Sequence, residues 1–189
     1  MILYPTETIY ALGVNAFDND AVDRLTRLKG RGGEKFMSVL VRDIEDIDRW
    51  AELSTTARAI AEQFLPGPLT LVLPSKLTNG LRVAPDGFLR FRMSPDPVAQ
   101  QTIADFMSEH DAPLTCTSAN LSGLEPQPTV PDILAQLGER ADQLEQIIDD
   151  GPRSGLPSTV VRVVGDEITI HREGAIPTDA VFQVGHRKA

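Results

Sequence analysis

The sequence predicts an α/β fold, and three observations carry that prediction. Short runs rich in β-branched and aromatic residues alternate along the chain with amphipathic segments of helical period. Two late runs, Thr159 to Val164 and Glu167 to His171, flank Gly165-Asp166 and read as a hairpin. The other runs are joined through helices, so the sheet should be part parallel and part antiparallel. With 189 residues, 41% of them apolar and 24% charged, the chain has the size and composition of one globular domain, residues 1–189, with a substantial core.

The elements follow in order. Ile2-Leu3-Tyr4 is strand-like and closed by Pro5, and a turn dense in hydroxyls separates it from a second apolar stretch reaching Gly13. A helix should start at Asp18 or Asn19, either of which can accept from free backbone amides, and end around Lys29 and Gly30. Its Ala21, Val22, Leu25 and Leu28 share one face. Strands are expected at Met37 to Val41, Leu69 to Leu73, Phe88 to Arg92, Leu114 to Thr117 and Gln146 to Asp149, in addition to the hairpin. Helices are expected at Ile44 to Ala51, Thr55 to Phe64, Pro97 to His110 and Pro131 to Leu137, the last with proline in its first turn. Loops fall at Leu65-Pro66-Gly67-Pro68, Pro126 to Pro131 and Gly151 to Pro157, where the breakers gather.

Composition excludes several classes of function. A formal net charge of −9 argues against extended binding to a phosphate backbone, so any phosphate site must be local. The single cysteine, Cys116, can form no internal disulfide, and the three histidines are far apart, so no protein-held metal is expected. No apolar run approaches the roughly 20 residues of a membrane span, and no secretion signal opens the chain, which leaves a cytoplasmic protein as the expectation.

Three segments could carry chemistry. In Lys29-Gly30-Arg31-Gly32-Gly33-Glu34-Lys35, cations and glycines just past a helix can bring amides and side-chain charge to a polyphosphate. The same residues can instead merely end the helix and complement its dipole. In Thr115-Cys116-Thr117-Ser118-Ala119-Asn120-Leu121-Ser122-Gly123, a strand runs into a polar turn that can hold a carboxylate or phosphate, or simply cap itself. In Tyr4-Pro5-Thr6-Glu7-Thr8-Ile9-Tyr10-Ala11-Leu12-Gly13, Glu7 could act as a base or solvate the turn. Arg90, Arg92 and Arg172 lie in or beside strands, where a planar fork can clamp an anion or face solvent. Cys116 has no histidine close in sequence and reads equally well as a small packing residue, which argues against covalent catalysis.

Read in order, six segments resemble the threonylcarbamoyl-AMP synthase family, also called YrdC-like. They are YPTETIYALG (Tyr4 to Gly13), KGRGGEKFMSVLV (Lys29 to Val41), PGPLTLVL (Pro66 to Leu73), SANLSG (Ser118 to Gly123), PSTVV (Pro157 to Val161) and REGAI (Arg172 to Ile176). The resemblance implies a twisted, open, mixed sheet with helices packed on it and a concave ligand pocket. It implies synthesis of threonylcarbamoyl-AMP from L-threonine, bicarbonate or CO2 and ATP, with magnesium accompanying ATP and no tightly bound organic cofactor. A transferase complex would then pass the threonylcarbamoyl group to tRNA, so that contact with tRNA by this chain is weak or indirect.

Carried over by motif, Lys29 and Arg31 become the catalytic cations, and Lys29, Arg31, Gly33, Asn120 and Arg172 the ATP side. Thr6, Ser38, Arg92, Ser118 and Ser158 fall where the family holds threonine, with Arg92 the partner for its carboxylate. The chain departs from the family at Gly32 and Phe36, where prolines are usual, at Ala11 for glycine and at Ser94 for proline. The helix that usually precedes the first strand is lacking, so the sheet edge near Ile2 is expected to be exposed or covered by another subunit. Two other readings stand beside the synthase: a related carbamoyl-adenylate-forming enzyme, and a double-stranded RNA binding module, which would need a basic concave face.

Overall fold

A computed structural model of the chain describes residues 1–30, 36–78 and 80–185. Its strands are β1 (Ile2–Tyr4), β2 (Ala11–Gly13), β3 (Ser38–Leu40), β4 (Gly67–Pro74), β5 (Phe88–Met93), β6 (Leu114–Ser118), β7 (Gln146–Ile147), β8 (Thr159–Val164) and β9 (Glu167–Arg172). Its helices are α1 (Asn19–Leu28), α2 (Ile44–Trp50), α3 (Thr55–Phe64), α4 (Pro97–Glu109), α5 (Val130–Leu137) and α6 (Thr178–Gly185), with a 3-10 helix over Gly138–Gln143. The strands form one sheet in the order β7-β1-β2-β6-β3-β5-β4-β8-β9. Pairing is parallel at β7-β1, β3-β5 and β4-β8 and antiparallel elsewhere, the mixture that hairpin and helical crossovers together predict.

Strand alternation decides which side chains meet the core and which meet a ligand. On β4, Leu69, Leu71 and Leu73 are fully buried in the main core, so Thr70 and Val72 between them face the other way. On β5, Leu89 and Phe91 enter that core while Arg90 and Arg92 turn from it; on β8, Val161 and Val163 do so while Val160 turns away. The opposite face is shared. Part of it is covered by α4, whose Ala99 and Ile103 pack with Tyr4, Ala11, Leu40 and Leu114 in a second, smaller core. The rest stays open and forms a cavity.

Caps hold the helices that border this face. Asp18 accepts from the amides of Asp20 and Ala21 at the start of α1, and Asp96 accepts from those of Val98 and Ala99 at the start of α4, where Pro97 needs no partner for a missing N–H. Gly30 ends α1 with φ of 64°, a conformation glycine adopts without steric cost.

Four features differ from expectation. The Gln146 to Asp149 run contributes only Gln146–Ile147 as strand, because Asp149 swings out to accept a hydrogen bond from the Tyr10 hydroxyl at 3.2 Å. That short strand pairs with β1, Ile2 to Gln146 and Leu3 to Ile147, so the edge near Ile2 is covered from within the chain. The segment expected as the loop Leu65 to Pro68 already joins β4 from Gly67, with a register shift between Gly67 and Leu71 that accommodates Pro68. Helix α6 follows the hairpin, and only Val181 among its residues is deeply buried, so its apolar pattern in the sequence is faint.

Candidate active site

The open part of the concave face is a cavity of about 930 Å³, with lining residues from β3, β4, β5, β6, β8 and β9 and from the loops around Thr8, Pro126 and Ser154. A volume of this order suits a nucleotide-sized ligand. Ser38, Arg92, Ser118, Ser158 and Arg172, expected in the site, all line it.

Arg92 is the most buried cation of the lining, 8% exposed. Its Nη2 donates to Glu7 Oε1 and lies 3.4 Å from Thr8 Oγ1, whereas its buried Nε has no partner among the described residues. Glu7 is held by the turn around it. Thr6 Oγ1 donates to the Ile9 carbonyl at 2.6 Å, lies 3.0 Å from Thr8 Oγ1, and accepts from the amides of Thr8 and Ile9, both at 3.3 Å. The Thr6 hydroxyl is therefore engaged by its own turn, and Thr6 is not among the residues that line the cavity.

Across the floor, Thr70 Oγ1 and Ser158 Oγ are 2.8 Å apart, and Arg172 donates to the Ser158 carbonyl. Burial is the larger cause that lowers the Arg172 pKa, followed by the charge of Arg92, which records how these two cations share one wall.

Lys29 and Asn120 stand one layer behind the lining, at Ser118. Lys29 is 1% exposed and donates to the Ser118 carbonyl and to Asn120 Oδ1, the latter at 3.4 Å; Asn120 Oδ1 also accepts from Ser118 Oγ. Asn120 Nδ2 is turned to the Leu121 carbonyl at 3.0 Å and to that of Leu124. The structure thus joins Lys29, Ser118 and Asn120 in one network backing the cavity wall, with only Ser118 on the surface of that wall. Arg31 and Gly33 lie outside the described residues.

Several lining residues were not singled out as site residues: Thr70, Arg153, His171 and the exposed Phe36, over whose ring Arg90 stacks at 3.7 Å. Thr70 was legible as a lone hydroxyl on an otherwise apolar strand; Arg153, paired with Asp96 at 3.2 Å, had no local signal. Cys116 also lines the cavity, and its thiol is pushed up chiefly by burial, with Arg92 acting in the opposite sense, so no thiolate nucleophile is poised there. Among the described residues no group of three or more His, Cys, Asp or Glu could hold a metal ion. No helix among them is long and apolar enough to cross a membrane.

Arg92 and Arg172 thus stand over a hydroxyl-lined concave sheet, which gives the open α/β scaffold a cavity of small-molecule size. A family model described as Sua5_yciO_yrdC, telomere recombination, matches residues 1–174, and the chain belongs to this Sua5/YciO/YrdC family. A relative from Methanocaldococcus jannaschii is 33% identical over 178 residues, which cover 94% of this chain and 81% of that protein. The Bacillus subtilis threonylcarbamoyl-AMP synthase is 32% identical over 193 residues, 97% of this chain and 52% of its own length. Pyrococcus abyssi Sua5, in a crystal structure complexed with L-threonine, superposes with a TM-score of 0.82 at 28% identity, covering 97% of this chain and 53% of that one. The chain spans about half the length of these last two proteins.

Proposed function

We propose that this chain is an L-threonylcarbamoyladenylate synthase, making threonylcarbamoyl-AMP and pyrophosphate from L-threonine, bicarbonate or CO2 and ATP. The observation that carries the reading is the pairing of Arg92 and Arg172 over Ser158 and Thr70, in a chain that superposes on threonine-bound Sua5 over 97% of its length. In this reading Arg92 takes the threonine carboxylate, and Ser38, Ser118 and Ser158 take its polar groups. Lys29, Arg31, Gly33, Asn120 and Arg172 serve the nucleotide.

The threonine amine is first carboxylated. A carbamate oxygen then attacks the α-phosphorus of ATP, the bond from that phosphorus to the bridging oxygen breaks, and its electron pair leaves on pyrophosphate. Negative charge grows on the α-phosphoryl oxygens and the leaving group, so cations fixed before reaction stabilise the transition state more than the ground state. Magnesium bound with the triphosphate would neutralise part of that charge. Holding carbamate and phosphorus in line supplies the rest, with no covalent intermediate on Cys116.

The product would pass to a tRNA threonylcarbamoyl transferase complex in the cytoplasm. A net charge of −9 disfavours the RNA-binding alternative. The test is incubation with ATP, magnesium, bicarbonate and L-threonine, read by mass spectrometry for threonylcarbamoyl-adenylate. Pyrophosphate release must require threonine and bicarbonate together; release that carbamoyl phosphate supports and threonine does not would overturn the proposal in favour of a related carbamoyl-adenylate enzyme.

A further inference from the structure

The contact between Glu7 and Arg92 is incomplete in a way that points to a third residue. A carboxylate beside a guanidinium tends to use both oxygens in a two-point fork. Here Glu7 gives Arg92 only Oε1, because Oε2 accepts from the Ser94 hydroxyl. Ser94 is 2% exposed and anchored where α4 begins: its Oγ accepts from the Asp96 amide at 3.2 Å, and its carbonyl accepts from Gln100 Nε2 at 3.2 Å. Arg92 Nε meanwhile stays buried, unpartnered among the described residues, on a side chain that lines the cavity.

We propose that Ser94 is a positioning residue: by holding Glu7 Oε2 it keeps Glu7 from closing over Arg92, so that the guanidinium retains donors for the carboxylate of the amino-acid substrate. The inference rests on the proposed function, in which that carboxylate binds Arg92. Ser94 also offsets a charge problem. An incoming carboxylate must approach Arg92 beside the anionic Glu7, and the Ser94 proton on Oε2 draws that charge toward α4.

The experiment is calorimetric titration of the full chain with L-threonine and separately with ATP, alongside the thermal midpoint of each variant. Ser94→Ala should weaken threonine binding by about tenfold and leave ATP binding unchanged, on the scale of one hydrogen bond to a charged group. Ser94→Thr, which keeps the hydroxyl, should stay close to the wild type. The double variant Ser94→Ala with Glu7→Gln should regain most of the lost affinity, because a neutral amide cannot form the ionic fork; a merely structural role for Ser94 would not be rescued this way. Ser94→Cys, nearly isosteric with a much weaker donor, repeats the test should alanine unsettle the fold. Wild-type threonine affinity in both Ser94→Ala and Ser94→Cys, or a double variant as weak as the single, would overturn the inference. Absence of threonine binding to the wild-type chain itself would overturn the functional reading and this inference with it, a different result from the other two.

Discussion

Arg172 clasps the backbone carbonyl of Ser158 with two nitrogens, Nη2 at 2.8 Å and Nε at 3.1 Å, and Nη2 also reaches Ser158 Oγ at 3.2 Å. One planar group thereby ties β9 to the segment just before β8 and aims a fixed charge over the cavity. Lysine offers a single ammonium on a flexible stem and cannot reproduce the fork. Arg172→Lys should lower kcat/KM for ATP by about 10- to 100-fold, the scale of lost charge-assisted hydrogen bonds. Pyrophosphate release against ATP concentration measures it, and a variant with wild-type kcat/KM would remove Arg172 from the nucleotide side.

Lys29 is buried at 1% exposure with its ammonium on the Ser118 carbonyl and Asn120 Oδ1. Lys29→Met keeps the stem and removes the donor, so that Asn120 Oδ1 keeps only the Ser118 hydroxyl and the Ser118 carbonyl loses its charged partner while keeping the Asn120 amide at 3.0 Å. The expected cost is about 1–3 kcal/mol, or roughly 3–10 °C in Tm for a chain of this size, together with loss of synthase activity. Calorimetric melting and the pyrophosphate assay check the two halves separately. An active variant with a lowered Tm would leave Lys29 a structural residue and take away its catalytic role.

Much of this site was legible because it is local. The strand ending in Ser118-Ala119-Asn120 and the arginine on β5 advertise themselves by residue type, and alternation alone turns Arg90 and Arg92 from the core. What stayed hidden is long-range. Glu7 meets Arg92 across 85 positions and Arg153 meets Asp96 across 57, and no periodicity encodes such partners. The orientation of Thr6 was hidden for a related reason: motif likeness brings a hydroxyl to a neighbourhood but does not encode the bonds it makes within its own turn. In the fold, α6 and the brevity of β7 were obscured by exposure, since half-buried elements leave weak apolar patterns.

Gly174 allows the REGAI segment to lie against the residues preceding β8. A Cβ there would stand 2.2 Å from the Pro157 carbonyl oxygen and 2.6 Å from the Ser158 carbonyl carbon, backbone atoms that cannot step aside cheaply. Gly174→Ala should destabilise the fold by about 1–3 kcal/mol, as overpacking does, and raise the KM for threonine by displacing Ser158. Urea denaturation and steady-state kinetics test it. Unchanged stability would mean that the two segments separate without penalty.

Cys116 is raised in pKa first by burial, with Arg92 opposing, so it should react as a protonated thiol at neutral pH. Iodoacetamide should label it slowly at pH 7.5, and Cys116→Ala should keep synthase activity within a few-fold. Rapid labelling that abolishes turnover, joined by an inactive alanine variant, would reopen covalent catalysis.

At the cavity mouth, Asp86 pairs with Arg90 at 2.7 Å, and Arg90 stacks over Phe36, so the pair braces part of the lining. Burial pushes the Asp86 carboxyl up, but the Arg90 hydrogen bond, the Arg90 charge and the Phe88 amide together outweigh it and leave the pKa below the ordinary value. A lowered folded-state pKa means that the native state favours the charged form. The stabilisation is then fully present above the unfolded carboxylate pKa of about 3.9 and is lost as pH falls through the lower folded value. Urea midpoints of the wild type and Asp86→Asn, taken from pH 7 down to pH 3, should differ by a constant amount down to about pH 5 and converge below about pH 4. A gap at pH 3 as wide as at pH 7 would show that the asparagine variant loses packing and not the ion pair.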